Sequence, residues 1–214
     1  MPDGQEPLFA RDRAGHEPVE LVVIDDGSTD PATLEAFAAL EADGVRVVHQ
    51  ANTGLPGARM RGLAETTAPY VFPLDSDDLL EPATLPAMAD ALDAGPEIAA
   101  CYGDYAEFGG PEDLVRAVPD HLDPFRIAYI NEYPVSALFR RSALERVGGW
   151  KPIRLGYEDW DLWMAIAEAG LDAAHAGHGR ITYRRRLHGT RMLTGAKANH
   201  RELYPTLKRR HPQP

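Results

Sequence analysis

Short apolar runs alternate with segments of helical spacing along the first part of the chain. Residues 22–24 (VVI) form a β-branched run that stops at an acidic loop, as buried strands of parallel sheets do. Asp30 and Pro31 then supply an N-cap and a first-turn proline, and apolar residues recur at helical spacing until Gly44. The pattern predicts a strand, an acidic loop and a helix, in that order.

The same alternation continues along the rest of the chain. It predicts strands at residues 45–49, 70–74, 98–105, 136–140 and 181–186. It predicts helices after loop 52–57, between Asp78 and Gly95, ahead of Gly148 and Gly149, and over 159–169. Segment 106–134 has no clear period and is predicted to be mainly loop. We therefore expect an α/β fold with a mainly parallel sheet flanked by helices.

Length and composition limit the number of domains. With 214 residues, of which 44% are hydrophobic, the chain can bury one sizeable core. We expect a single domain at residues 19–190. An irregular N-terminal arm at 1–18 precedes it, and a basic, mobile C-terminal tail at 191–214 follows it.

Charge and cysteine content exclude several classes of function. The net charge of −11 argues against broad nucleic-acid binding, which needs a surplus of Lys and Arg. Cys101 is the only cysteine, so an internal disulfide is excluded, and this fits a reducing compartment. The chain shows no signal-peptide pattern and no apolar run of the ~20 residues that a membrane helix requires. We expect a cytoplasmic protein. Peripheral membrane contact through the basic tail and self-association stay open.

Two predicted strands end in clusters of acids. Asp25 and Asp26 follow the first strand, and Asp75, Asp77 and Asp78 follow the run YVFPL. Ligands of open α/β sheets bind beyond the carboxyl ends of the strands, so we expect both clusters at one edge of the sheet. If a cluster is partly desolvated, two like charges at ~6 Å cost roughly 3 kcal/mol at an effective dielectric of about 20. Oxygen ligands would favour Mg²⁺ or Mn²⁺ there. A solvated helix start explains the second cluster equally well.

Three further features have both a structural and a functional interpretation. The glycine-bearing loop 52–57 enters a helix whose N-terminus could meet an anion, and Arg59 follows it, but an ordinary capped turn is favoured by these residues alone. Glu158 and Asp159 open the tryptophan-rich helix, where acids stabilise the helix dipole or serve as a base. His188 by itself is typical of a surface histidine.

The order of these segments points to a family. ELVVIDDGSTD, NTGLPGARMRGL, YVFPLDSDD, SALFRRSALERVGGW, GYEDWDLW and YRRRLHG follow one another as in the nucleotide-sugar glycosyltransferases of family 2, and the resemblance runs from about residue 20 to residue 188. It implies the GT-A fold. It also implies a nucleotide-sugar-binding half at 19–105 and an acceptor and catalytic half at 106–190.

The resemblance assigns roles to individual residues. Those on the donor side are Asp26 at the nucleotide base with Asp25 beside it, Arg59 near the nucleotide, and Asp75 and Asp77 in the DxD motif. Those implied to approach the metal are Asp77, Asp78 and, after the last strand, His188. Asp159 matches the catalytic base, with Glu158 adjacent.

The resemblance also implies a reaction. A sugar would pass from a UDP-, GDP- or dTDP-sugar to the hydroxyl of a glycan, lipid-linked or small-molecule acceptor, with Mn²⁺ or Mg²⁺ as cofactor. The enzyme would be hexosyltransferase-like and would invert the anomeric centre in one displacement. A truncated or non-catalytic relative that binds nucleotide sugar or glycan is the alternative. A nucleotidyltransferase would share the sheet and the acids but usually has a glycine-rich basic loop near its start.

The chain departs from the family pattern before residue 22. Family members begin with a strand of the type VSVIIPTYN and a helix, and none of the residues ahead of Val22 resembles that strand. Three explanations are open: the chain is a fragment or has a misassigned start, another segment or subunit fills the place of the strand, or nucleotide binding is impaired. An unfilled place would leave backbone groups of the neighbouring strands unpaired. We therefore expect weak binding of nucleotide sugar.

Overall fold

The computed structural model describes residues 19–153, 156–187 and 198–212. The arm expected at residues 1–18 and the predicted metal-side residue His188 lie outside the described residues. The first half of the chain begins with two strand–helix units. These are β1 (Val22–Asp25), α1 (Pro31–Ala42), β2 (Arg46–His49) and α2 (Leu55–Ala64).

The start of α1 confirms the capping signal. The Asp30 carboxylate accepts a hydrogen bond from the backbone N–H of Thr33 at 2.9 Å, and Pro31 is the first residue of the helix. Such a cap satisfies a backbone donor that has no partner within the helix.

The strand expected over residues 70–74 is shorter in the structure. Here β3 (Tyr70–Val71) is followed by a loop, β4 (Leu79–Leu80) and α3 (Thr84–Ala94). Pro73 has no backbone N–H to donate to a neighbouring strand, and Leu74 is 40% exposed. The acids 75, 77 and 78 therefore lie in a loop between two short strands, rather than at the end of a long buried strand.

The second half contains more regular structure than the sequence predicts. Its elements are β5 (Ile98–Tyr102), β6 (Asp104–Phe108), β7 (Leu114–Arg116), α4 (Pro124–Ile127), β8 (Leu138–Arg140), α5 (Arg141–Val147), α6 (Glu158–Glu168), β9 (Asp172–His175), β10 (Ile181–Arg186) and α7 (His200–Arg210). Segment 106–134 is mainly loop, as predicted, but it also contains the end of β6, the strand β7 and the helix α4. Its turn at Gly109 and Gly110 joins β6 to β7 as a hairpin, and its helix is short.

The strands confirm the α/β class but pair in a mixed manner. Among the described residues they form the pair β1-β2 and two four-stranded sheets of order β4-β10-β6-β7 and β3-β8-β5-β9. The pairs β1-β2, β6-β10 and β5-β9 are parallel, and the pairs β4-β10, β3-β8, β5-β8 and β6-β7 are antiparallel. Within the described strands, β1 is hydrogen-bonded to β2 and to neither four-stranded sheet.

Helix α6 lies at the centre of the main core. Trp163 is fully buried, packs against Tyr102, Tyr133 and Phe139, and donates its Nε1–H to the carbonyl of Pro134 at 3.0 Å. Burial of large aromatic side chains on this scale dominates core energetics. The N-terminus of α6 is therefore held on a rigid element.

The described part of the predicted C-terminal tail is a docked helix. In α7, Leu203 and Leu207 are buried at 3% and 0% exposure, and Tyr204 donates its hydroxyl to the carbonyl of Ala128 at 3.0 Å. His211, just beyond the helix, lies between the carboxylates of Asp161 and Glu168. The prediction of a mobile tail is thus wrong for residues 200–211, because the many basic residues of this segment obscure its narrow apolar stripe in the sequence.

No helix in the described ranges has the length and apolar character to cross a membrane.

The docking of α7 has a measurable consequence. Truncating the buried Leu207 to Ala should lower the free energy of unfolding by about 2–5 kcal/mol, because a cavity replaces core contacts. Arg201→Ala, at an exposed position of the same helix, should stay within about 0.5 kcal/mol. Urea denaturation of both variants checks this. Equal, small losses in the two would mean that α7 does not dock.

Candidate active site

A buried arginine joins two acidic segments. The Arg59 side chain is 7% exposed, and its Nη2–H donates to Asp75 Oδ1 at 2.9 Å. Its Nη1–H donates to Glu158 Oε1 at 3.2 Å, and Glu158 is 8% exposed. Helix α2, the loop after β3 and the start of α6 therefore meet at one guanidinium. Arg59 is thus an ion-pair partner of two acids in this structure.

Asp26 fixes the loop that leads into α2. Its carboxylate accepts hydrogen bonds from the backbone N–H groups of Thr53 and Gly54, both at 2.8 Å, and from the Gln50 amide at 2.7 Å. Burial raises the pKa of Asp26, but these hydrogen bonds outweigh it, so its pKa lies below the usual value. The carboxylate stays ionised and holds the entry to the helix that carries Arg59.

Asp25 has its own partners beside this loop. It accepts from His49 Nδ1 at 2.8 Å and from the backbone N–H of Ser28 at 2.8 Å. The hydrogen bond with His49 is the main reason that the pKa of Asp25 falls to about 2. Gly27, at φ +81°, allows this turn to approach loop 50–54, since a Cβ there would lie 2.9 Å from the backbone nitrogen of Asn52.

Asp78 is the most buried acid of the loop after β3. It is 9% exposed, and its Oδ1 accepts the backbone N–H of Arg186 in β10 at 2.9 Å. The Arg186 side chain also donates to the carbonyl of Asp77 at 3.0 Å. Burial, and then the charges of Asp75 and Asp77, raise the pKa of Asp78 to about 6. The like-charge repulsion expected from the sequence is therefore present.

The donor set suits a cation that takes few protein ligands. Within residues 19–153, 156–187 and 198–212, no group of three His, Cys, Asp or Glu side chains is arranged to hold a metal ion. Mg²⁺ typically takes one or two carboxylates and completes its shell with water and substrate phosphate. Asp77 and Asp78 fit that pattern, and a nearby cation would relieve the crowding that raises the pKa of Asp78.

Asp159 has the properties of a proton acceptor near neutral pH. It follows Glu158 at the start of α6, where Tyr157 turns the chain with a φ of +69°. Burial, and then the charge of Glu158, raise the pKa of Asp159 to about 6. Its Oδ1 accepts the backbone N–H of Trp160 at 2.8 Å, and its Oδ2 accepts Asn131 Nδ2–H at 3.1 Å.

The structure connects two of the predicted donor-side residues with the predicted catalytic side. Arg59 contacts both Asp75 and Glu158, and Asp159 is next in the chain. Asp26 instead binds loop 50–54, and Asp25 binds Ser28 and His49. Sequence reasoning missed Asn131, which lies in a segment without periodicity. An Asn side chain often accepts the backbone N–H two residues further on and so forms a local turn. The sequence does not show what the NH₂ group of the same side chain contacts.

Comparisons with known proteins place this geometry in context. Residues 8–148 match the sequence model of the family described as glycosyl transferase family 2. An uncharacterized glycosyltransferase of Nostoc sp. is 27% identical over 165 residues, which cover 69% of this chain and 48% of the relative.

Two solved structures share the fold. S. aureus TarS in complex with UDP-GlcNAc has a TM-score of 0.65 at 20% identity, covering 83% of this chain and 52% of the TarS chain. The mannosyltransferase PcManGT from Pyrobaculum calidifontis, in complex with GDP-Man and Mn²⁺, has a TM-score of 0.59 at 21% identity, covering 89% and 55%. The fold is that of the GT-A glycosyltransferases. The chain spans about half the length of each of these three proteins.

The Arg59 contacts predict a difference between neighbouring arginines. Arg59→Met leaves the Glu158 carboxylate buried without its partner, so the free energy of unfolding should fall by about 3–5 kcal/mol. Arg61, on the same helix, is 42% exposed and pairs with Glu65 four residues on. Arg61→Met should therefore cost only about 0.3–0.5 kcal/mol. Urea denaturation measures both, and similar losses in the two variants would contradict a buried bridge.

Proposed function

The chain belongs to glycosyl transferase family 2, and on this premise we propose that it transfers a sugar from a nucleoside-diphosphate sugar to an acceptor hydroxyl with inversion. The observation that carries the proposal is Asp159. This carboxylate has a pKa raised to about 6 and lies beside the buried Arg59–Glu158 pair. A general base works best when its pKa is close to the working pH.

The donor side is supported by the loops that surround this pair. Asp26 orders loop 50–54, and Arg59 ties the loop after β3 to α6. We assign the nucleotide and ribose contacts to this side, with Asp25, Asp26, Asp75 and Asp77 as the acids involved. TarS was crystallised with UDP-GlcNAc and PcManGT with GDP-Man, which supports a nucleotide sugar as the donor class.

A divalent cation belongs to the same proposal. Asp77 and Asp78 would hold Mn²⁺ or Mg²⁺, and PcManGT was crystallised with Mn²⁺. When bound, the cation neutralises charge on the diphosphate and stabilises the leaving group. Arg186 orients the Asp78 carboxylate through its backbone N–H.

The transfer is a single displacement. Asp159 accepts the proton of the acceptor hydroxyl as the hydroxyl oxygen attacks the anomeric carbon from the face opposite the diphosphate. The new C–O bond forms while the bond to the diphosphate oxygen breaks, and the diphosphate leaves with the bonding electrons. The anomeric centre inverts. No second carboxylate is needed as a nucleophile, in contrast to retaining glycosidases.

Replacing the base tests this proposal. With UDP-, GDP- and dTDP-sugars and Mn²⁺, release of nucleoside diphosphate should fall about 10²- to 10⁴-fold in Asp159→Asn, because the amide cannot accept the proton. Asp43→Asn, at an exposed position after α1, is the control and should match the parent. Undiminished turnover in Asp159→Asn would contradict the role of the base. A parent that turns over no donor would favour a non-catalytic binding module.

The proposed cation site makes a separate prediction. Mn²⁺ with UDP or GDP should raise the melting temperature of the parent, and EDTA should reverse the rise, because a ligand that binds only the folded state stabilises it. Asp78→Asn should lose most of this rise, whereas Asp90→Asn, exposed on α3, should keep it. A rise of equal size in Asp78→Asn would remove that carboxylate from the cation site.

A further inference from the structure

We propose that Asn131 is a positioning residue that orients the Asp159 carboxylate for proton transfer, an inference that rests on the function proposed above. Asn131 lies in the loop between α4 and β8, 28 residues before Asp159 in sequence. Its Nδ2–H donates to Asp159 Oδ2 at 3.1 Å. The contact crosses from this loop to the first turn of α6.

A second hydrogen bond fixes which end of the amide faces the base. Asn131 Oδ1 accepts the backbone N–H of Tyr133 at 3.0 Å. An amide oxygen can accept but not donate, so this bond directs the NH₂ group away from Tyr133 and towards Asp159. The flipped amide would lose this bond and place its oxygen against the carboxylate. The orientation of Asn131 is therefore determined by its surroundings.

Both oxygens of the base are engaged, and each keeps room for another partner. Oδ2 accepts from Asn131, and Oδ1 accepts the backbone N–H of Trp160 at 2.8 Å. Each carboxylate oxygen has two lone-pair positions, so a single hydrogen bond to it does not exhaust its capacity to accept from an acceptor hydroxyl. Two donors on opposite oxygens fix the plane of the carboxylate, which is what a preorganised base requires.

The anchor of Asn131 is part of the aromatic core. Tyr133 is 4% exposed, its hydroxyl donates to the carbonyl of His121, and its ring packs against Tyr102 and Trp163. In contrast, Tyr129 and Ile130, the two residues just before Asn131, are 57% and 49% exposed. The Asn131 amide is thus anchored to the backbone of a buried residue and lies next to an exposed stretch of the loop.

The loop has an additional attachment to α6 that does not depend on Asn131. Trp163 Nε1–H donates to the carbonyl of Pro134, one helical turn beyond the contact of Asn131 with Asp159. The loop from 131 to 134 is therefore fastened to α6 at two points. Variants of Asn131 keep the second point and the Tyr133 packing, so we expect them to fold.

The charged and titratable groups that act on Asp159 come from three elements. Glu158 and Tyr157 lie at the start of α6, Arg59 belongs to α2, and Tyr105 belongs to β6. Asn131 is uncharged and donates to the ionised form. Losing a donor to the ionised form destabilises that form and raises the pKa of the carboxyl group. Activity needs ionised Asp159, so as the pH falls the variant would lose activity at a higher pH than the parent does.

Two substitutions separate orientation of the base from anchoring of the loop. Asn131→Ala removes both hydrogen bonds. Asn131→Asp keeps an oxygen for the Tyr133 N–H, removes the donor to Asp159 and places a second carboxylate beside it. The added charge raises the pKa of Asp159 in either case, but if Asn131 merely anchored the loop, kcat of the Asp variant at a pH well above that pKa would match the parent. If it positions the base, the Asp variant should be affected at least as strongly as the Ala variant.

The experiment follows Asp159 by two independent measurements. Carbon-13 NMR titration of the Asp159 carboxyl, assigned by its loss in Asp159→Asn, should move up by about one pH unit in both variants. The acid limb of kcat/KM for donor turnover, which reports the free enzyme and is expected near pH 6 in the parent, should move up with it. At the parent's optimum kcat should fall about tenfold with KM little changed, because a misplaced base affects only the chemical step.

The possible outcomes are distinct. Parallel shifts of the NMR titration and the acid limb support the inference. An unchanged NMR titration in both variants overturns it and leaves the proposed function standing. A shifted NMR titration with an unmoved acid limb would show that Asp159 is not the base, and would overturn the proposed function together with the inference.

Discussion

Burial of the Arg59 guanidinium is the constraint on which the site depends. A charged group that is 7% exposed must be surrounded by acceptors, and Arg59 finds them in Asp75 and Glu158, which lie on separate segments of the chain. Glu158 is 99 residues away in sequence and is itself buried. Neither charge can be left without the other at low cost, so α2, the loop after β3 and the start of α6 are held together.

Two further acids of the candidate site, Asp78 and Asp159, have raised pKa values. Arg59 offsets part of the charge of Asp75 and Glu158. Asp78 and Asp159 carry the remainder, and burial with like-charged neighbours raises the pKa of each to about 6. Asp159 follows Glu158 in the chain, and Asp78 lies in the same loop as Asp75, the other partner of Arg59. The same physical cause underlies the two proposed roles, cation binding at Asp78 and proton acceptance at Asp159.

Local signals in the sequence predict those parts of the fold that depend on neighbouring residues. The strand before Asp25, the Asp30 cap and the end of α5 at Gly148, with φ +81°, all follow from residues a few positions apart. The strand at 70–74 is cut short at Pro73. Helix α7 was missed because its two buried leucines are surrounded by basic residues, although they lie four positions apart as on one helix face.

The candidate site is only partly predictable, because local signals in the sequence reveal its acids but not the contacts between them. The acids were found because clusters of Asp and Glu at strand and helix ends are visible in the sequence. Their pairing was not predictable, since Arg59 had many acids available and only packing selects Glu158 and Asp75. Asn131 carries no signal beyond that of a local turn, because its function depends on a contact with α6 that packing of Tyr133 in the core creates.

The most direct measurement is a double-mutant cycle on Arg59→Met and Glu158→Gln, followed by the free energy of unfolding in urea. If Arg59 and Glu158 form one buried bridge, the double variant should lose about 1.5–3 kcal/mol less than the sum of the two single losses. Single losses that add to within about 0.5 kcal/mol would contradict the bridge, and with it the account of how the site is assembled.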